Sequence, residues 1–391
     1  MTTILVTTDF YLPGYRAGGP IRSIANLVDG LGDEFQFRII TRNRDLGVSV
    51  GYPNIQTEIW HVLGKGHVIY LPDKGYHLWG LQKILRATNY DLLYLNGFFA
   101  PLTRAVLTLR ASNAIPKMPV VVAPRGEFSK GALSIKAAKK TTYIQIMKAI
   151  GLYRHVLWQA SSEFEQADIE SYFANDIKMG HSTIHIAPNL FPRLAQAPPS
   201  YARYPKKAGS IQIVFLSRIA RMKNLNLAVQ LLQHIPGDIK FDIYGPIEDD
   251  IYWQECQRQI KELPTNVDVS YNGVVTPDDI QTILAKYHLL LLPTHGENFG
   301  HVILESLSAG CPVLISDQTP WRNLPTEHAG WEHKLSTPEA FQETLRAVVN
   351  MNQEEWQTWS TGARKLAEVF TTDKELIDAS RKMFQLALAP K

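Results

Sequence analysis

Two carboxylates eight residues apart, Glu297 and Glu305, bracket the run Asn298-Phe299-Gly300-His301-Val302, shortly after the apolar stretch Leu289 to Leu292. A helix beginning near Phe299 leaves Glu297 in the preceding loop and carries Glu305 about two turns into the helix. The amides between them then point from a helix N-terminus, where a phosphate or an electron-rich sugar oxygen is favoured. Ionised carboxylates only accept hydrogen bonds, so this pair suits a ligand with hydroxyls at both ends and phosphates between, the layout of a nucleotide sugar. A pair of exposed helix glutamates is the competing account. The small-residue turn Ser308-Ala309-Gly310 and the strand-like Val313 to Ser316 that follow favour the built site.

A second group of chemically able residues lies upstream, in Ser217-Arg218-Ile219-Ala220-Arg221-Met222-Lys223-Asn224, between the apolar run Ile211 to Leu216 and the helical Leu225 to Val229. Arg offers a planar fork to phosphate oxygens and Lys a compact point charge, so Arg218 with Lys223 could hold a diphosphate without a metal. A solvated basic loop is the alternative. The chain has no D-x-D carboxylate pair to hold a cation, and no Walker A loop, G-x-G-x-x-G, H-E-x-x-H or G-x-S-x-G. No metal and no cofactor are expected.

The elements that must position these residues read as short β-branched runs between helical stretches: Thr3 to Thr8, Phe37 to Thr41, Leu92 to Leu95, Val120 to Ala123 and Thr183 to Ala187. The rhythm restarts with Ile211 to Leu216, Phe241 to Tyr244, Val267 to Tyr271, Leu289 to Leu292 and Val313 to Ser316. Strands alternating with helices imply parallel sheets, whose ligands sit at the carboxyl ends of the strands. At 391 residues two domains are expected: 1–190, a proline-rich linker over 190–209, 210–370, and a terminal helix over 371–391 packing back toward the first domain. In that helix Leu376, Ile377, Met383, Phe384 and Leu386 mark the apolar positions.

A net charge of +3 argues against a nucleic-acid partner. Cys256 and Cys311 have no disulfide or zinc spacing and read as buried reduced thiols; with no leader-like segment at Met1 this predicts a cytoplasmic protein. Between Arg125 and His155 the charges are Arg125, Lys130, Lys136, Lys139, Lys140, Lys148 and Arg154 against Glu127 alone. That run is either a solvated helix face or a peripheral contact with an anionic membrane.

The stretch ENFGHVILESLSAGCPVLISD, Glu297 to Asp317, closely resembles the nucleotide-sugar signature of family 4 glycosyltransferases. Ser217-Arg218-Ile219 through Lys223-Asn224 resembles that family's basic diphosphate loop, and Ala123-Pro124-Arg125-Gly126, Ser161-Ser162-Glu163 and Pro188-Asn189 fall in its order. The resemblance implies an α/β protein of the GT-B fold, two Rossmann-like domains facing a central cleft, acting as a retaining, metal-independent hexosyltransferase. It implies that Arg218 and Lys223 contact the donor diphosphate, Glu305 the ribose and Glu297 the transferred sugar, with amides of Asn298, Phe299, Gly300, His301 and Val302 completing the donor site. Gly18 and Gly19 in Ala17-Gly18-Gly19-Pro20 resemble the family's N-terminal loop, which approaches diphosphate and acceptor.

Many members carry a histidine after the strand matching Leu92 to Leu95; here Asn96-Gly97-Phe98 stands there, so a histidine base is not assigned. Asn96 can still offer a carbonyl, and Arg125 either helps hold acceptor or phosphate or makes a surface salt bridge. Tyr11, Tyr15, Phe98 and Phe99 read as cleft or core aromatics, with core preferred for the two phenylalanines. The implied partners are a nucleotide sugar, UDP-glucose or a related UDP-sugar first, and a saccharide or lipid-linked saccharide acceptor, in exopolysaccharide, lipopolysaccharide or glycolipid assembly at the inner face of the cytoplasmic membrane. A non-catalytic sugar-nucleotide sensor and a GT-B sugar-nucleotide epimerase are the competing readings.

Overall fold

A computed structural model describes residues 1–73, 76–134, 137–191 and 205–389. Most of the expected linker, 192–204, and Lys136 of the basic run lie outside the described residues. The chain divides into one unit of Met1–Pro192 with Asp373–Lys391 and a second of Arg193–Thr372.

The first unit is built on β1 (Thr3–Thr7), β2 (Gln36–Arg42), β3 (Trp60–Leu63), β4 (Gly66–Leu71), β5 (Leu92–Asn96), β6 (Val120–Ala123), β7 (Val156–Ala160) and β8 (Thr183–Ile186). They lie in the order β3-β4-β2-β1-β5-β6-β7-β8, parallel throughout except for the β3–β4 hairpin. The second is built on β9 (Ser210–Leu216), β10 (Asp238–Tyr244), β11 (Val267–Tyr271), β12 (Leu289–Leu292), β13 (Val313–Ser316) and β14 (Gly330–His333), all parallel, in the order β11-β10-β9-β12-β13-β14. Each sheet reverses its direction of growth once, between β1 and β5 and between β9 and β12. A ligand of such a sheet is expected outside the carboxyl ends at that reversal.

The sequence reading passes over β3, β4, β7 and β14. The first two form a tight hairpin about Gly64, outside the strand–helix alternation that guides the reading, and β14 is Gly-Trp-Glu-His, without an apolar run. The central strands are legible because helices cover both faces: β1, β5, β6, β12 and β13 are buried at every residue. Leu5, Leu93, Leu95, Val120 and Val122 pack on one face of the first sheet, and Ile4, Val6, Leu92, Tyr94 and Val121 on the other.

The terminal helix, Lys374–Leu388, belongs to the first unit. Asp373 caps it, accepting from the Glu375 amide at 2.8 Å. Met383, Phe384 and Ala387 enter the sheet face, where the Phe384 ring meets Phe35, Phe37 and Tyr94 edge-on at 5.3, 6.1 and 5.9 Å. Arg381 grips Glu34 through two hydrogen bonds. Leu386, marked as an apolar position, is instead 48% exposed; the helix turns Ala387 inward in its place. Phe98 is fully buried in a nest of Phe128, Tyr153 and Trp158, and Tyr11 is also core, leaving Tyr15 half-buried among the four aromatics considered for a cleft, with Phe99 packed against the core. Cys256 and Cys311 are buried free thiols.

Candidate functional site

Both chemically able segments of the second unit lie at the reversal of its sheet: the basic loop follows β9 and the Glu297 loop follows β12. Hydrogen bonds to main-chain carbonyls bind them together. The His295 amide donates to the Met222 carbonyl at 2.8 Å, the Thr294 hydroxyl to the same carbonyl at 3.0 Å, and the Asn224 side chain to the Pro293 carbonyl at 2.9 Å. Asn224 itself sits at φ 58°, a left-handed position that Asn tolerates, and ends the turn Arg221–Lys223 before the helix Leu225–Leu232.

That stitching brings Lys223 to Glu297, Nζ to Oε1 at 2.5 Å, with both side chains close to 90% buried. Sequence reasoning foresaw each group and missed their pairing. Arg218 is also paired, with Glu248 in the loop after β10, and Arg221 makes two hydrogen bonds to Glu255, at 3.0 and 2.8 Å, with its guanidinium over the Tyr252 ring. The three cations of this loop therefore stand in three different ion pairs.

The helix after Glu297 spans His301–Ser308, beginning two residues later than the sequence reading places it. Gly300 causes the delay: its φ of 81° and ψ of 64° are left-handed, and a Cβ there would lie 2.7 Å from Ile303. Glu305 consequently sits about one turn into the helix. The Gly300 carbonyl accepts from the Ile303 and Leu304 amides at 2.9 and 3.4 Å, and the positive end of the helix lies beside Glu297. Phe299 points inward: its ring packs on Trp321 at 5.3 Å, and its carbonyl accepts from Trp321 Nε1 at 2.7 Å. The Glu297 amide donates to the Gln318 carbonyl at 2.9 Å, and Arg322 holds the carbonyls of Asp317, Thr319 and Trp321. The loop after β13 thus braces the loop after β12, a role that Trp321 and Arg322 did not betray in sequence.

The loops after β9 and β10 meet just as closely. Ile219 and Ile247 form an isolated parallel bridge, and the Ile219 amide donates to the Pro246 carbonyl at 2.8 Å. Gly245, at φ 137°, permits this approach: a Cβ there would lie 1.8 Å from the Ser217 carbonyl oxygen. The signal available in sequence was a Gly-Pro pair directly after a strand.

In the first unit, Gly18 precedes the helix Gly19–Leu31 with φ 70° and ψ −125°, a conformation for glycine. Asn96 and Arg125 are brought together: Arg125 Nε donates to Asn96 Oδ1 at 2.7 Å, Nη2 to the Tyr94 hydroxyl at 2.6 Å, and Nη1 to Asn189 Oδ1. Neutral acceptors hold this guanidinium, in place of the surface salt bridge considered from sequence. Buried Glu165 gathers the neighbouring segments, accepting from the amides of Gly126 at 2.6 Å and Ser161 at 2.8 Å. The separate motif pieces Pro124-Arg125-Gly126, Ser161-Ser162 and Pro188-Asn189 therefore form one polar network beyond β6, β7 and β8.

Glu127, next in line, accepts from the amides of Phe98 at 2.5 Å and Phe99 at 2.9 Å, while burial pushes its carboxyl up to about 7. Within the basic run Lys140 and Lys148 are spent on the carbonyls of Ala132 and Tyr172, and Lys139 is exposed.

Residues 200–366 match the family model described as glycosyl transferases group 1. The poly(glycerol-phosphate) alpha-glucosyltransferase of Bacillus subtilis (strain 168) is 29% identical over 164 residues, 40% of this chain and 23% of that protein. The O-antigen chain mannosyltransferase B of Escherichia coli is 28% identical over 112 residues, 27% of this chain and 28% of that one. The matches thus span about a quarter of the length of these relatives. Among solved structures, the sucrose-phosphate synthase of Thermosynechococcus elongatus superposes with a TM-score of 0.73 at 16% identity, covering 99% of this chain and 98% of that one. WaaG, a glycosyltransferase involved in lipopolysaccharide biosynthesis, gives 0.68 at 14% identity over 99% and 100%. Anabaena Alr3699/HepE in complex with UDP and glucose gives 0.68 at 16% over 99% of each chain. The fold is GT-B, with two Rossmann-like α/β units.

Proposed function

We propose that this chain transfers a hexose, with retention, from a nucleoside diphosphate donor to a saccharide or lipid-linked saccharide acceptor in polysaccharide or glycolipid assembly. One observation carries the reading: at the reversal of the second sheet, hydrogen bonds to main-chain carbonyls and the Lys223–Glu297 pair hold the basic loop of Arg218 and Lys223 against the Glu297 loop that leads into the helix His301–Ser308. That places two cations, helix amides and a carboxylate within one loop cluster, the set a diphosphate sugar needs. The group 1 match over 200–366 and the sugar transferases among the relatives support it.

In this scheme the bond from the anomeric carbon to the donor phosphate breaks as the acceptor oxygen bonds to the same face. The departing diphosphate takes the acceptor's proton. Arg218, Lys223 and the backbone amides over Asn298 to Val302 stabilise the charge growing on that phosphate, so the protein acts by positioning and preorganised positive charge, with no metal. Glu297 orients hydroxyls of the transferred sugar while Lys223 holds its other side, and Glu305 takes the ribose. Gly18 and Gly19 are assigned to donor binding and Asn96 to the acceptor or sugar contacts, with Arg125 fixing the orientation of Asn96. UDP-glucose is the favoured donor, supported by the glucosyltransferase relative and the neighbour complexed with UDP and glucose.

The work is assigned to the cytoplasm. No helix among the described residues is long and apolar enough to cross a membrane, and any membrane contact is assigned to the surface of exposed Lys139, Ile146 and Ile150. Loss of cosedimentation with anionic vesicles in the triple alanine variant would support that contact, and no cosedimentation of the wild type would remove it.

The decisive experiment is a calorimetric titration, in chelator, of wild type and Glu305→Ala with UDP, GDP and their glucose and mannose conjugates. Binding of one nucleotide series without metal, weakened in the variant, is expected. Absence of binding to all of them sinks the donor assignment; binding without transfer to any acceptor favours a sensor.

A further inference from the structure

We propose that Glu248 is a resident counter-ion of Arg218 that the donor diphosphate must displace, and that this exchange sets a preference for nucleoside diphosphates over monophosphates. The inference rests on the reading that Arg218 holds the diphosphate.

The three ion pairs of the basic loop differ in how readily they can open. Arg221 is fixed by two hydrogen bonds to Glu255, by Asp249 at 3.4 Å and by the Tyr252 face at 5.1 Å, so it is spent on the helix Asp250–Lys261. Lys223 and Glu297 are nearly buried, and opening that pair would strand charge away from water. Arg218 and Glu248 keep 35% and 43% of their side-chain surface exposed and are joined through one guanidinium nitrogen. A phosphate can present two oxygens to the planar fork, which outcompetes a single partly solvated carboxylate contact.

The backbone keeps Glu248 in place for the exchange. Its amide donates to the Ile219 carbonyl at 3.1 Å, Ile219 pairs with Ile247, and Asp249 caps the following helix by accepting from the Tyr252 amide at 2.9 Å. Both loops are therefore anchored one residue from the ion pair, and only the side chains need move. The cost of parting them is repaid when a ligand carries enough phosphate to engage Arg218 as well as Lys223. A monophosphate, with one phosphate fewer, leaves Arg218 on Glu248.

The test is titration calorimetry of UDP, UMP, GDP and GMP into wild type, E248Q, R218Q and the R218Q/E248Q double variant, with thermal melts confirming that each is folded. E248Q is expected to tighten the diphosphate by about threefold to fivefold, the scale of a partly exposed ion pair, and to change the monophosphate by less than about twofold. In the R218Q background the same substitution should have no effect. Unchanged or weaker diphosphate binding in E248Q overturns the proposal. So does equal tightening of mono- and diphosphate, which would mean a general loss of negative potential. If wild type binds a diphosphate through Glu305 while E248Q behaves as wild type, this inference alone falls; if wild type binds no nucleotide, the donor-site reading falls with it.

Discussion

Replacing Gly245 with alanine tests whether the loops after β9 and β10 approach as closely as described. An added Cβ would stand 1.8 Å from the Ser217 carbonyl oxygen and 3.3 Å from the Arg218 amide nitrogen, at a φ of 137° that side chains avoid. Relief requires the two loops to separate by more than about 1 Å, because the obstacle is backbone and not a pliant side-chain end. Strain of this backbone class costs about 1–3 kcal/mol and overpacking about the same, so the variant should lose about 2–6 kcal/mol. The same displacement moves Arg218 away from any ligand, and a misplacement of about 1 Å can reduce turnover about a hundredfold. Gly273→Ala is the control, since its φ of 75° brings the strain while nothing stands within 4 Å of the added atom. Urea unfolding and UDP titration of both variants give the answer. If Gly245→Ala loses no more stability than Gly273→Ala and binds UDP as wild type does, the close approach and its role in placing Arg218 are wrong.

Phe384→Ala should destabilise the first unit by about 3–5 kcal/mol, read by thermal unfolding, because the ring is fully buried against Phe35, Phe37 and Tyr94. Arg381→Ala should cost no more than about 1 kcal/mol, its pair with Glu34 being partly exposed. Glu127 titrates near 7 in the folded chain against an ordinary value of 4.5, so its neutral form favours folding. That stabilisation is complete below 4.5 and is lost as pH rises through 7; wild type should fall by about 2–3 kcal/mol relative to Glu127→Gln across this window in pH-dependent urea melts. Arg125→Lys removes the fork that reaches Asn96, Asn189 and Tyr94 and should cost about 1–3 kcal/mol while leaving UDP affinity within about twofold, measured by unfolding and calorimetry.

Much of the architecture is written locally in the chain. Strands covered on both faces must be continuous apolar runs, so β1, β5, β6, β12 and β13 can be read directly, and their restart after the proline-rich stretch separates two α/β units. Strands that break that code, such as the β3–β4 hairpin and Gly-Trp-Glu-His of β14, cannot be read the same way. Glu297, Glu305, Arg218 and Lys223 stand out because their residue types and positions after strands suit an anionic sugar ligand.

Which groups meet was decided by tertiary structure. Lys223 finds Glu297 across 74 residues, and Arg125 finds Asn189 across 64, because strand order brings the ends of β9 and β12, and of β6 and β8, to the same edge of a sheet. Residue spacing along the chain carries no record of that order. The pairing of Arg218 with Glu248 depends likewise on a single glycine that lets two loops touch. Chemistry that resides in one side chain is legible in sequence; its counter-charge, its burial and its freedom to exchange partners belong to the fold, since each is a property of neighbours distant in the chain.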